Sequence, residues 1–285
     1  MNTLTDKFAS EIHLINNYLE QIIPAEQEQS ELNEMAQACR YSLIHPGKRF
    51  RALLSLLTAR TLGYELNLVL PYAAAVELIH TYSLIHDDLP CMDDDDYRRG
   101  QPSHHKVYGE AMAVITGDAL QTYAFEMIAE NYQQMPKLAL RAVNILAKAS
   151  GYQGMVGGQA IDLRVGEGLK VDSEKIILLH QLKTAALIQA ATAGAAVLCE
   201  ATEADIKKFT EFGLELGLAF QVADDILDHD DTQPELMGLP MQMGLQATRE
   251  FLDQLTAKAL GYLEDFDKSA DDLRFIVEFN KNRLA

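Results

Sequence analysis

Leu214-Glu215-Leu216-Gly217-Leu218-Ala219-Phe220-Gln221-Val222-Ala223-Asp224-Asp225-Ile226-Leu227-Asp228 is the stretch that decides the fold class. It is apolar on nearly every side until its carboxylates arrive, and it shows no alternation of strand type. A helix without a polar face belongs at the centre of a bundle. Ala73 to Leu84 repeats the pattern and also runs into aspartates. Working outward, the periodicity stays helical between breaks at Pro24, His45-Pro46-Gly47, Gly63 with Pro71, Pro90, Gly100-Gln101-Pro102, Pro136, Gly151 to Gly158, Gly166 with Gly168, and Pro234 to Gly244. Segments of roughly 12 to 25 residues lie between them. No repeat and no low-complexity linker interrupts the series. The sequence therefore predicts an all-α fold, a single large helical bundle over residues 1–285 with about ten or more helices.

Composition narrows the function. The 285 residues are 48% hydrophobic and 23% charged, which excludes a disordered chain. Lys and Arg number 24 against 42 Asp and Glu, for a net charge of −18. A generic nucleic-acid binder needs a basic face, so with this acidic balance no nucleic-acid partner is expected. Cys39, Cys91 and Cys199 lie far apart and outside any CxxC, which argues for a reducing compartment. The N-terminus lacks a basic region followed by an apolar core. The longest uncharged run, Thr184 to Cys199, has 16 residues and contains Gln189. It reads as a buried helix rather than a membrane span. A cytoplasmic protein is the expectation.

The first acidic cluster is His86-Asp87-Asp88-Leu89-Pro90-Cys91-Met92-Asp93-Asp94-Asp95-Asp96-Tyr97-Arg98-Arg99-Gly100. Its aspartates repel one another unless cations neutralise them. On an unbroken helix Asp87 and Asp93 point to different sides, so Pro90 is expected to break the helix and turn both to one cavity. In the second cluster Gln221, Asp224 and Asp228 share one helix face. A solvated acidic stripe explains either cluster alone. Two of them, each led by an apolar helix, suit a polynuclear magnesium centre with phosphate ligands. Lys48 and Arg51 place positive charge at the start of an apolar helix, where the dipole also favours anions. His80 lies two turns before Asp87. Lys183-Thr184 opens the alanine-rich helix, and Gly157-Gly158-Gln159-Ala160-Ile161-Asp162 supplies small residues for close helix approach.

In this order the segments resemble the trans-prenyl diphosphate synthases, most nearly the bacterial short-chain farnesyl type, the geranyltranstransferases. The motifs that carry the likeness are Gly47 to Arg51, His80, Asp87 to Gly100, Gly117 to Leu120, Gly157 to Asp162, Lys183-Thr184 and Phe220 to Asp228. The resemblance implies an isoprenoid-synthase bundle, a homodimer, and a central cavity between the two aspartate motifs. Asp87, Asp88 and Asp93, with Asp224 and Asp228, would hold about three Mg²⁺, with Mn²⁺ a substitute, around an allylic diphosphate. Arg98, Lys183 and Gln221 would contact that diphosphate or its ions. Lys48, Arg51, His80 and Arg99 would bind isopentenyl diphosphate. Ionisation would leave an allylic cation, faced by Thr184 and Gln221, for the isopentenyl double bond to attack.

Product length would be set on the helix before Asp87, where each turn of about 5.4 Å reads roughly one isoprene unit. Tyr82, beside Ser83, stands where the bacterial farnesyl synthases that the chain resembles carry a tyrosine plug, which implies that its bulk would stop growth at fifteen carbons. One departure stands out. The family carries a glycine-lysine lid loop after the second motif, whereas here no lysine follows Asp228 until Lys258. Either the lid is shortened or a flexible segment is omitted from the sequence. A synthase of ten- or twenty-carbon products, or a weakly active regulatory subunit, is the alternative. A generic calcium-binding protein lacks its loop here and leaves Arg98, Arg99 and Lys183 unexplained.

Overall fold

A computed structural model describes residues 4–25, 29–229 and 238–283. The all-α expectation holds: the only strands among the described residues form the two-residue hairpin Tyr97–Arg98 with Gln101–Pro102, paired Tyr97 to Pro102 and Arg98 to Gln101. The chain divides into two compact units, Met1–Leu53 with Leu70–Ala139, and Leu54–Val69 with Leu140–Ala285.

The first unit contains helices Leu4–Lys7, Ala9–Ile22, Asn33–Leu43, His104–Tyr108 and Glu110–Asn131, and most of Leu66–Asp87. The last of these is its centre. Tyr72, Ala73, Ala74, Ala75, Val76, Leu78 and Ile79 are fully buried, as a helix with no polar face requires. Pro71 lies inside this helix rather than at a boundary. The neighbouring Tyr72 N–H donates to the Tyr132 hydroxyl at 3.2 Å, a partner from outside this helix.

The second unit contains most of Phe50–Thr61 and Pro136–Ser150, then Met155–Gly166, Ser173–His180, Ala186–Leu198, Glu203–Leu227, Leu239–Met243, Leu245–Gly261 and Asp271–Asn282. Glu203–Leu227 starts at Thr202, whose hydroxyl accepts the Asp205 N–H at 3.1 Å. Leu218, Ala219, Val222, Ala223 and Ile226 then pack with Ile176, Leu239, Leu252 and Leu255. Two glycines set the approach of the helices. A Cβ on Gly217 would lie 2.6 Å from the Ala185 Cα, and one on Gly158 would lie 2.4 Å from the Lys183 backbone nitrogen. Leu66–Asp87 and Ser173–Leu198 are long and apolar enough to cross a membrane, but 72% and 56% of their apolar windows are buried inside protein, as core helices are.

Candidate active site

In the first unit the central helix ends at Asp87. The Asp93 N–H donates to the Asp87 carbonyl at 2.9 Å and the Asp94 N–H to the Leu89 carbonyl at 3.1 Å. The turn around Pro90 thus folds Asp93 back to Asp87, as the sequence predicts. Asp88 is buried and accepts from Arg98 Nε at 2.8 Å, while Arg98 Nη2 also reaches Asp95 at 2.9 Å. Burial pushes the Asp88 carboxyl up, and the Arg98 hydrogen bond opposes it.

Of the basic residues near Gly47, Lys48 is exposed and Arg51 half-buried. Arg51 Nη1 lies 3.3 Å from His80 Nε2. Burial, then the charges of Arg51 and Arg99, hold His80 well below the usual histidine range. A neutral ring can accept from Arg51 and leave that guanidinium charged. Gly47 gives Arg99 its place, since a Cβ there would meet Arg99 Nη1 at 2.6 Å. Arg49, between Lys48 and Arg51, is framework: it is buried, donates to Asn16 Oδ1 and the Leu43 and His45 carbonyls, and lies 3.6 Å from Glu77. Tyr82 is buried, meets the His86 ring edge-on at 5.8 Å, and has its phenol pushed up to about 12 by burial and then by the Asp87 charge. The Ser83 hydroxyl turns back to the His80 carbonyl at 2.9 Å.

In the second unit a single π-turn, Gln181–Ala185, joins two helices and carries Lys183 and Thr184. Such a bulge redirects side chains that a straight helix would spread. Lys183 Nζ pairs with Asp162. The Thr184 hydroxyl donates to Gln221 Oε1 at 2.9 Å. These residues, with His180, Asp225 and Gly238, line a pocket of about 190 Å³. Asp224 sits one turn before Asp228, whose N–H donates to the Asp224 carbonyl at 2.9 Å. Arg283 Nη1 lies 2.8 Å from Asp224 Oδ1, and its guanidinium stacks 4.2 Å from the Phe220 ring. Burial raises the Asp224 carboxyl and Arg283 counters the rise.

Four residues given no role in the sequence reading complete this half. Asp225 Oδ2 is 2.8 Å from His180 Nε2 and accepts the Leu239 N–H at 3.0 Å, with both side chains buried. Asp162 and Arg283 hold Lys183 and Asp224. His180, three residues before Lys183, and Asp162, in the Gly-Gly-Gln segment, could have been suspected; nothing in the sequence marks Arg283. The short-lid reading rests on Asp230 to Met237, which lie outside the described residues.

The donor set fits a hard divalent cation. All the predicted ligands are carboxylates, and guanidinium groups already occupy Asp88 and Asp224 as cations do. An all-α chain with two aspartate segments of this kind, Arg98 held by the first and Arg283 by the second with Gln221 on the same helix, defines the diphosphate-handling prenyl synthase class. The chain belongs to the Polyprenyl synthetase family, whose sequence profile matches residues 32–247. It is 46% identical over 210 residues to a farnesyl diphosphate synthase from Geobacillus stearothermophilus, covering 73% of this chain and 70% of the relative. It is 42% identical over 247 residues to a chloroplastic geranylgeranyl pyrophosphate synthase 7 from Arabidopsis thaliana, covering 82% and 71%. An FPP/GFPP synthase structure from Zymomonas mobilis aligns with TM-score 0.89 at 36% identity, covering 97% of this chain and 98% of that one.

Proposed function

We propose that the protein is a farnesyl diphosphate synthase, adding isopentenyl diphosphate to dimethylallyl and then geranyl diphosphate. The family resemblance gives both aspartate segments a part in binding the allylic diphosphate. Asp87, Asp88 and Asp93 with Asp224 and Asp228 would hold Mg²⁺, which neutralises charge on the leaving diphosphate when bound. Arg98 and Lys183 turn from their carboxylate partners to the same oxygens. Lys48, Arg51 and Arg99 bind the second diphosphate, with His80 keeping Arg51 in place. The allylic C–O bond ionises, the isopentenyl double bond attacks the cation, and a proton leaves to the released diphosphate.

The Thr184–Gln221 hydrogen bond carries this reading. It directs the threonine proton into the amide oxygen, so the pair presents oxygen lone pairs and no strong nucleophile to a cation. The bulk of Tyr82, buried on the helix just before Asp87, favours a fifteen-carbon product. The protein acts as a cytoplasmic homodimer in this reading. The geranylgeranyl synthases among its relatives favour a second reading, a twenty-carbon product. Incubation with Mg²⁺, isopentenyl and geranyl diphosphates, followed by chain-length analysis, separates the two. Farnesyl diphosphate as the main product is expected, and a main product of twenty carbons overturns the assignment.

A further inference from the structure

Beyond the prenyl-transfer residues, the segment after Asp93 holds a group with no part in that chemistry. One ligand atom each from Asp94, Asp96 and His105 lies within 4.8 Å of the other two. Asp94 and Asp96 are exposed, whereas His105 is only 6% exposed. Both ring nitrogens of His105 are buried, and neither has a hydrogen-bond partner among the described residues. A neutral imidazole carries one donor and one acceptor, and leaving both unpaired away from water is unfavourable. A ring turned towards two carboxylates, with no hydrogen bond to either, has the arrangement of a ligand.

The backbone fixes all three positions. The Asp94 N–H bonds the Leu89 carbonyl at 3.1 Å, the Asp96 carbonyl accepts from Ser103 N–H at 2.9 Å, and the His105 carbonyl accepts from Gly109 N–H at 3.0 Å. Lys106 Nζ occupies Asp96 Oδ1 at 2.6 Å, and a carboxylate so held keeps its second oxygen for coordination. We propose that Asp94, Asp96 and His105 form a site for one divalent transition-metal ion, separate in composition from the all-carboxylate magnesium ligands. The imidazole decides the class. Mg²⁺ takes oxygen ligands and dehydrates reluctantly, whereas imidazole with two carboxylates suits Zn²⁺, Mn²⁺, Co²⁺ or Fe²⁺. The exposed aspartates leave the remaining coordination positions to water. An ion there ties helix His104–Tyr108 to the segment that carries Asp93 at one end and Arg98 and Arg99 at the other.

Zinc chloride is the probe, added to the full-length protein in excess MgCl₂ and followed by equilibrium dialysis with metal analysis. One Zn²⁺ per chain resisting displacement by Mg²⁺ is expected. Asp94→Asn, an exposed change that keeps the fold, should weaken this binding at least about tenfold, and Asp224→Asn should leave it unchanged. His105→Gln should weaken it equally; because that ring is buried, its folding is checked by circular dichroism. Histidine-ring NMR of the unaltered protein supplies a second readout, in which Zn²⁺ should shift the His105 ring signals and Mg²⁺ should not. Complete displacement by Mg²⁺, equal affinity in Asp94→Asn, or an unmoved His105 ring overturns the site.

Discussion

The two aspartate segments use different devices to hold charge. The first is an irregular turn after a helix end, and its brace comes from within ten residues, Arg98 on Asp88 and Asp95. The second is unbroken helix, and its partners come from far along the chain, His180 to Asp225 and Arg283 to Asp224. A turn can fold back on its own cations, whereas a straight helix must receive them from other elements. The first segment is therefore locally self-contained. The second depends on how the rest of its unit packs.

The comparison breaks if only one segment serves the chemistry. Asp87→Ala and Asp224→Ala should each lower kcat at least about a hundredfold, since losing one group that stabilises the leaving charge costs that much. Circular dichroism should show both variants folded. Excess chelator should abolish turnover in the unaltered protein. Full turnover in chelator, or a large loss in only one variant, would contradict two segments acting on one diphosphate.

Stability should separate the segments in the opposite sense. His180→Phe strips a buried carboxylate of its side-chain donor, and removing one partner of a buried pair costs about 3 kcal/mol. Asp88 is as buried as Asp225, but its partner Arg98 is 34% exposed, so water entering where the guanidinium lay can solvate the carboxylate and Arg98→Ala should cost less, about 1 kcal/mol. Denaturant melts with double-mutant cycles against Asp225→Asn and Asp88→Asn measure both couplings. Equal couplings would erase the distinction between a local and a long-range brace.

The third expectation concerns the first segment alone. Tyr82→Ala should open space beside Asp87 and move the product from farnesyl towards geranylgeranyl diphosphate, with the first condensation little changed. Product chromatography reads the ratio directly. An unchanged fifteen-carbon product from a folded variant would place the length stop elsewhere.

What the sequence revealed follows the same division. Apolar stretches such as Ala73 to Leu84 declare central helices because nothing else can solvate them. The break near Pro90 and the shared face of Gln221, Asp224 and Asp228 follow from local geometry. Thr184 beside Gln221 was expected in the same place, although their direct hydrogen bond depends on the π-turn at Gln181–Ala185, which no local pattern announces. His180 with Asp225 spans 45 positions. Arg283 with Asp224 spans farther still, and such pairs exist only once helices have packed. Pro71 works in the other direction, reading as a boundary although it lies inside a helix whose Tyr72 N–H finds a partner in the Tyr132 hydroxyl.

The smallest effect tests the openness of the first turn. Cys91 is exposed between Pro90 and Met92, while Cys39 and Cys199 are buried. Burial pushes the Cys39 thiol up to about 11 and the Cys199 thiol up to about 12. At pH 8 only about one in a thousand of the Cys39 side chains, and about one in ten thousand of the Cys199, would be thiolate, the form that reacts. Iodoacetamide should therefore add one group per native chain, mapped by peptide mass to Cys91, and three groups in denaturant. Because the turn that carries Cys91 also folds Asp93 back to Asp87, Mg²⁺ with an allylic diphosphate should slow the native reaction. Fast modification of a second thiol would show that the packing around Cys39 or Cys199 opens readily. An alkylation rate at Cys91 indifferent to Mg²⁺ and diphosphate would show that the turn stays open while the segment is in use.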